Sequence, residues 1–72
     1  MSKSILHGVE ITNPAGKLDC IITPSKSAAL TLAGQLYARA NAKLERWTCF
    51  YVRYTQSGTY SHLDEYELIP QP

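Results

Sequence analysis

His7, His62, Cys20 and Cys49 are the side chains of this 72-residue chain that could hold zinc or pair a nucleophile with its base. They form no C-x-x-C or H-x-x-x-H spacing, so any convergence would depend on tertiary structure alone. A reactive thiolate needs a helix N-terminus, a cation or a strained loop, and both cysteines lie in strand-like segments instead. They suit a pair of reduced, buried thiols. Asp64 and Glu65 are adjacent, which on a regular strand sends them to opposite faces and denies them paired acid–base work. The four glycines are scattered at 8, 16, 34 and 58, so no phosphate cradle is present. The reading is of a non-enzyme without cofactor or metal.

Binding is the alternative, and its candidate residues are Gln35, Arg39, Lys43, Arg46, Tyr51, Arg53 and Tyr60. The basic ones cluster after position 38 with only Glu45 among them, and Asp64, Glu65 and Glu67 make the end of the chain acidic. A net charge of +1 is too small for indiscriminate nucleic-acid binding. Aromatic and arginine side chains on an uncovered surface serve both as interface hot spots and as platforms for bases.

These residues need elements to carry them. Ser4 to Thr12 alternates Ile5, His7, Val9 and Ile11 with Leu6, Gly8 and Glu10, as a half-buried strand does. Asn13-Pro14-Ala15-Gly16 matches a type I turn, and Lys17 to Ile22 completes a hairpin. Thr23 can cap a helix with Pro24 in its first position. Ala29, Leu32, Ala33, Leu36, Tyr37 and Ala40 then fall on one side of that helix, with Asn41 as its C-cap. Arg46 to Tyr54 and Thr59 to Leu68 are strands around a Thr55–Gly58 turn, and Pro70 and Pro72 end the pairing. The expected architecture is α+β, ββαββ: a four-stranded antiparallel sheet with one helix packed on one face, in a single domain over residues 1–72.

Ser27, Thr31, Gln35, Ala38 and Ala42 give the helix an outer side on which Arg39 is the single charge, so a partner can approach it closely. In the third strand the set Phe50 and Val52 is free of charge and is assigned beneath the helix. Tyr51 and Arg53 then stand on the open face, joined by Tyr60 and His62. No apolar run approaches the roughly 20 residues of a membrane span, and Met1-Ser2-Lys3-Ser4 leads into no signal-peptide core. The expectation is a soluble, cytoplasmic protein of a host cell.

Strands Ser4–Thr12 and Leu18–Ile22, the helix opened by TPSKSAAL and the hairpin RWTCFYVRYTQSGTYSHL resemble small phage-encoded proteins of hairpin–helix–hairpin build. Among these are anti-CRISPR inhibitors of type I surveillance complexes. The resemblance lies in layout and size and covers nearly the whole chain. It implies docking on a large host complex and blocking its access to DNA, with some members holding DNA nonspecifically, and it carries over no individual residue. The expected function is therefore that of an inhibitor occluding a host protein assembly. Nucleic-acid binding through the same arginines, with Tyr51 or Tyr60 stacking, is the alternative; a homodimer joined through open sheet faces or edge strands is a third.

Overall fold

The computed structural model describes residues 3–72. Strands β1 (Lys3–Thr12) and β2 (Leu18–Thr23) precede helix α1 (Lys26–Ala42), and β3 (Thr48–Ser57) and β4 (Tyr60–Ile69) follow it. All neighbouring strands are antiparallel, in the order β2-β1-β3-β4, so the helix carries the chain from an edge strand over β1 into the centre of the sheet. This is the expected ββαββ, α+β arrangement.

The first turn forms as its residues dictate. The Gly16 amide donates to the Asn13 carbonyl at 2.9 Å and Gly16 takes a left-handed φ of 85°, while the Asn13 side chain accepts from Lys17 N–H. The β3–β4 turn is tighter than the Thr55–Gly58 stretch suggests. Pairing runs on to Ser57 and Tyr60, leaving Gly58 and Thr59 as a two-residue loop with Gly58 at φ 61°.

The ends of α1 differ from expectation. Ser25 is the N-cap, accepting from Ala28 N–H at 3.1 Å, while the Thr23 hydroxyl donates to the Ser25 carbonyl. Pro24 thus precedes the cap, and Thr23 closes strand β2 instead. At the other end Asn41 lies within the helix and Lys43 is the C-cap. Leu44 N–H bonds the Asn41 carbonyl and Glu45 N–H the Ala40 carbonyl, the paired bonds of a Schellman motif. Leu44 holds the left-handed position, φ 56°, that glycine usually takes.

The apolar side of the helix is the one its periodicity marks: Ala29, Ala33, Tyr37 and Ala40 are buried, with Leu32 and Leu36 at the margin. They meet Val9, Ile11, Cys49 and Tyr51 from the sheet. Small alanines let the helix sit low over β1 and leave room for the Tyr51 ring. The Tyr37 hydroxyl ties the layers together by accepting from Cys49 N–H at 2.8 Å and donating to the Ile69 carbonyl. Gln71 does the same at the helix exit, accepting from Trp47 N–H and donating to Asn41 Oδ1 and the Glu45 carbonyl.

Candidate functional site

Register decides which residues face outward, and it reverses the assignment for β3. Val9 pairs with Tyr51 and Ile11 with Cys49, so Cys49, Tyr51 and Arg53 share the helix side with Ile5, His7, Val9 and Ile11. Tyr51 is only 1% exposed, and its hydroxyl lies 2.7 Å from His7 Nδ1. Tyr51 and Arg53 are therefore not on the open face; Phe50, Val52 and Tyr54 are. Avoiding a buried charge misleads here because Arg53, on the helix side, is only partly covered and keeps its guanidinium beside acids of β4.

Arg53 is held among acids. Its guanidinium is 3.9 Å from Asp64 and from Glu65, and its Nε is buried without a hydrogen-bond partner. Lys26, at the start of the helix, bridges Glu65 at 3.0 Å and Glu67 at 3.4 Å and lies over the Tyr51 ring. The Lys26 bond holds the Glu65 carboxyl below its ordinary range, and the same bond pushes Lys26 up. Burial, then the nearby Glu65, raises the Tyr51 hydroxyl. The acidic strand thus pairs with Lys26 and Arg53.

Asp64 and Glu65 stand on one side, not two. The pairing of Arg53 with Glu65 and of Tyr54 with Leu63 leaves Asp64 as an extra residue, a β-bulge. Asp64 reaches Thr55 and His62 on the helix side, where Arg53 and Glu65 also lie. The bulge has a second effect. It keeps Leu63 in phase with Tyr66 and Leu68, so all three point to the open face.

The open face is consequently apolar. Across the four strands its middle carries Leu18, Cys20 and Ile22; Leu6, Gly8 and Glu10; Phe50, Val52 and Tyr54; and Leu63, Tyr66 and Leu68, with Ser4, Thr12, Thr48, Gln56 and Ser61 toward its ends and Val52 wholly covered by its neighbours. Ile22, Tyr66 and Leu68 are each about half exposed, at 56%, 49% and 55%. Phe50 and Tyr66 stack at 4.3 Å between centroids, and Tyr66 donates to Glu10 at 2.8 Å. That bond is the main reason the Tyr66 hydroxyl is raised. Gly8 lets Ile22 and Val52 close over the centre: a Cβ there would lie 2.8 Å from the Ile21 carbonyl oxygen and 3.4 Å from both side chains. Cys20, expected to be buried, is exposed on this face; burial, then Glu10 and Asp19, pushes its thiol up. Cys49 is buried beneath the helix, as expected.

Antiparallel sheets with one covered face usually turn polar side chains to the open one. Here Asp19, Arg53, Asp64, Glu65 and Glu67 all stand on the helix side, and among the described residues Glu10 is the one charged residue on the open face. Sequence reading missed Phe50, Tyr66, Leu68 and Ile22 as surface residues. The signal was available in the misfit between odd-numbered Leu63 and even-numbered Tyr66 and Leu68.

Of the other expected residues, Gln35, Arg39, Lys43 and Arg46 are exposed. The first three lie one turn apart along the outer side of α1, and Arg46 follows the exit. Arg53 is remote from them. Between Lys43 and Arg46 the structure adds Leu44, 95% exposed on its left-handed turn. Tyr60, 70% exposed, is at the tip of the β3–β4 hairpin. The depressions around the exit, one lined by Asn41, Leu44, Glu45, Arg46, Gln71 and Pro72, are shallow and open. Among the described residues no three metal-ligating side chains converge, and no helix is long and apolar enough to cross a membrane.

No family model, curated protein or solved structure matches the chain.

Proposed function

We propose that this chain is a non-catalytic binding protein that acts by covering a surface of a host protein assembly. The observation that carries the reading is the open sheet face, a layer of rings and branched side chains swept clear of charge except at Glu10. Aromatic anchors already stacked lose little freedom on binding and supply most of the contact energy. A face with no cation among the described residues and with a carboxylate near its middle suits a protein and repels phosphates.

The helix exit supports a second contact. Arg39, Lys43 and Arg46 surround the outward Leu44, and no ion pair among the described residues occupies them. They give steering and orientation rather than most of the affinity. Inhibition by occlusion in the cytoplasm of a host cell, as the anti-CRISPR layout implies, is the setting proposed for this activity. Its support is the layout together with the absence of an assembled catalytic constellation among the described residues.

Capture from host lysate on the immobilised chain tests the reading, with Leu68→Asp and the double change Arg39→Glu, Lys43→Glu run in parallel. A specific protein retained by the wild type and lost with Leu68→Asp supports it. Equal capture by all three removes both surfaces. Gel shift at low salt covers the nucleic-acid alternative: phosphate contacts by the exit cations would give a steep salt slope, near −0.9 per neutralised phosphate on duplex DNA.

A further inference from the structure

The geometry points to a second copy of this chain as the occupant of the open sheet face, in a two-fold dimer with sheets back to back and helices outward. The inference rests on the reading of that face as a docking surface and puts a second copy there in place of a host protein, so that in the dimer the host assembly meets the helix exits.

Three observations carry it. The first is size. Four strands at about 4.8 Å and about six residues at 3.3 Å give a patch of roughly 19 by 20 Å, on the order of 400 Å² in projection. The relief of the side chains adds to this, so two copies bury on the order of 1,000 Å², where specific interfaces begin. A monomer leaving Leu18, Ile22, Leu63, Tyr66 and Leu68 exposed on one side shows a patch in the size range of the largest ones soluble monomers carry, which are often binding sites.

The second is charge. A foreign partner held by complementarity would present cations to an acidic face or acids to a basic one. This face offers Glu10 alone, already bonded by Tyr66 of its own sheet. Apolar side chains meeting apolar side chains is the match that the face makes with itself, and a two-fold axis supplies it without a second sequence. The third is the bulge at Asp64. It turns that carboxylate to the helix side, beside Arg53, and keeps Leu63 on the open one. That sorting would bring no gain to a face left in water.

Two such faces stack about 10 Å apart with strands nearly aligned, as in a β-sandwich, making an α-β-β-α assembly. The exits with Arg39, Lys43 and Arg46 stay on the outside in duplicate, free for the host assembly.

Sedimentation velocity on the full chain, from about 1 to about 200 µM, tests the inference, with folding of every variant checked by circular dichroism. The expected result is a shift from monomer to dimer mass across that range, in keeping with a small interface. Leu68→Asp and Ile22→Asp, both at exposed positions, raise the dissociation constant at least tenfold, and Arg39→Glu leaves it unchanged. Glu10→Gln, which keeps an acceptor for Tyr66 and removes like charge from both copies, tightens the dimer. A monomer at every concentration overturns the second copy while leaving docking on a host protein to the capture experiment. A dimer indifferent to Leu68→Asp and Ile22→Asp, or loosened by Glu10→Gln, overturns it as well.

Discussion

Replacing Tyr37 with Phe tests how the two layers are joined. Tyr37 is 2% exposed, and its hydroxyl accepts from Cys49 N–H and donates to the Ile69 carbonyl. Phenylalanine fills the same volume, so no cavity forms and the loss is one of polar partners. The Ile69 carbonyl is half-buried and can turn to water. Cys49 is wholly buried, so its N–H is left without a partner, which costs about 1–3 kcal/mol. A net loss of about 2 kcal/mol is expected. For a domain of this size that lowers Tm by roughly 10–15 °C. Urea and thermal unfolding followed by circular dichroism measure both, with Tyr60→Phe, at an exposed hairpin tip, as a control near zero. A loss under about 0.5 kcal/mol would refute the account of that hydroxyl as the joint between β3, β4 and α1.

Further outcomes follow from the same contacts. Gly8→Ala pushes a Cβ to 2.8 Å from a backbone oxygen in the centre of the sheet, so unfolding measurements show a loss of about 1–3 kcal/mol. Deleting Asp64 straightens β4 with every remaining side chain on its present face, so the fold survives and amide spectra change around Thr55, His62 and Arg53 alone. The Lys26–Glu65 pair contributes over a bounded pH range. Because the folded Glu65 carboxyl sits below its unfolded value, its contribution is present above the ordinary carboxylate range and fades as pH falls through the folded value. Because Lys26 is raised, its contribution is complete below the ordinary lysine range and fades as pH rises through the folded value. Lys26→Met should flatten the acid limb of a stability-against-pH curve, and an unchanged limb would exclude the pair as its cause.

Much of the fold was legible because short-range chemistry specifies it. The Asn13–Gly16 turn, the alternation of Ile5 to Ile11 and the Ala29 to Ala40 stripe each carry their own physical signature. The facing of β3 was not, since Trp47 to Tyr54 is apolar on both sides and a one-residue change of register exchanges them. Choosing the uncharged side for the core assumed that a charge could not share the helix side, whereas Arg53 stays part-exposed there beside Asp64 and Glu65. The β4 bulge was readable in principle from the phase of Leu63 against Tyr66. The helix ends were misjudged because Ser25 and Leu44 compete with residues of equal or better propensity nearby, and tertiary docking of Trp47 and Gln71 at the exit settles the outcome. At the site, Gln35, Arg39, Lys43 and Arg46 were legible as exposed helix positions, while the open face depended on strand pairing.

Thiol labelling at Cys20 is the most direct test of the central claim, that an apolar sheet face lies open and is there to be covered. In dilute protein the exposed Cys20 should react faster than Cys49, which stays protected under the helix, and the Cys20 rate should fall in step with assembly as concentration rises. Protection of Cys20 in dilute monomer, or an unchanged rate while copies associate, would contradict it.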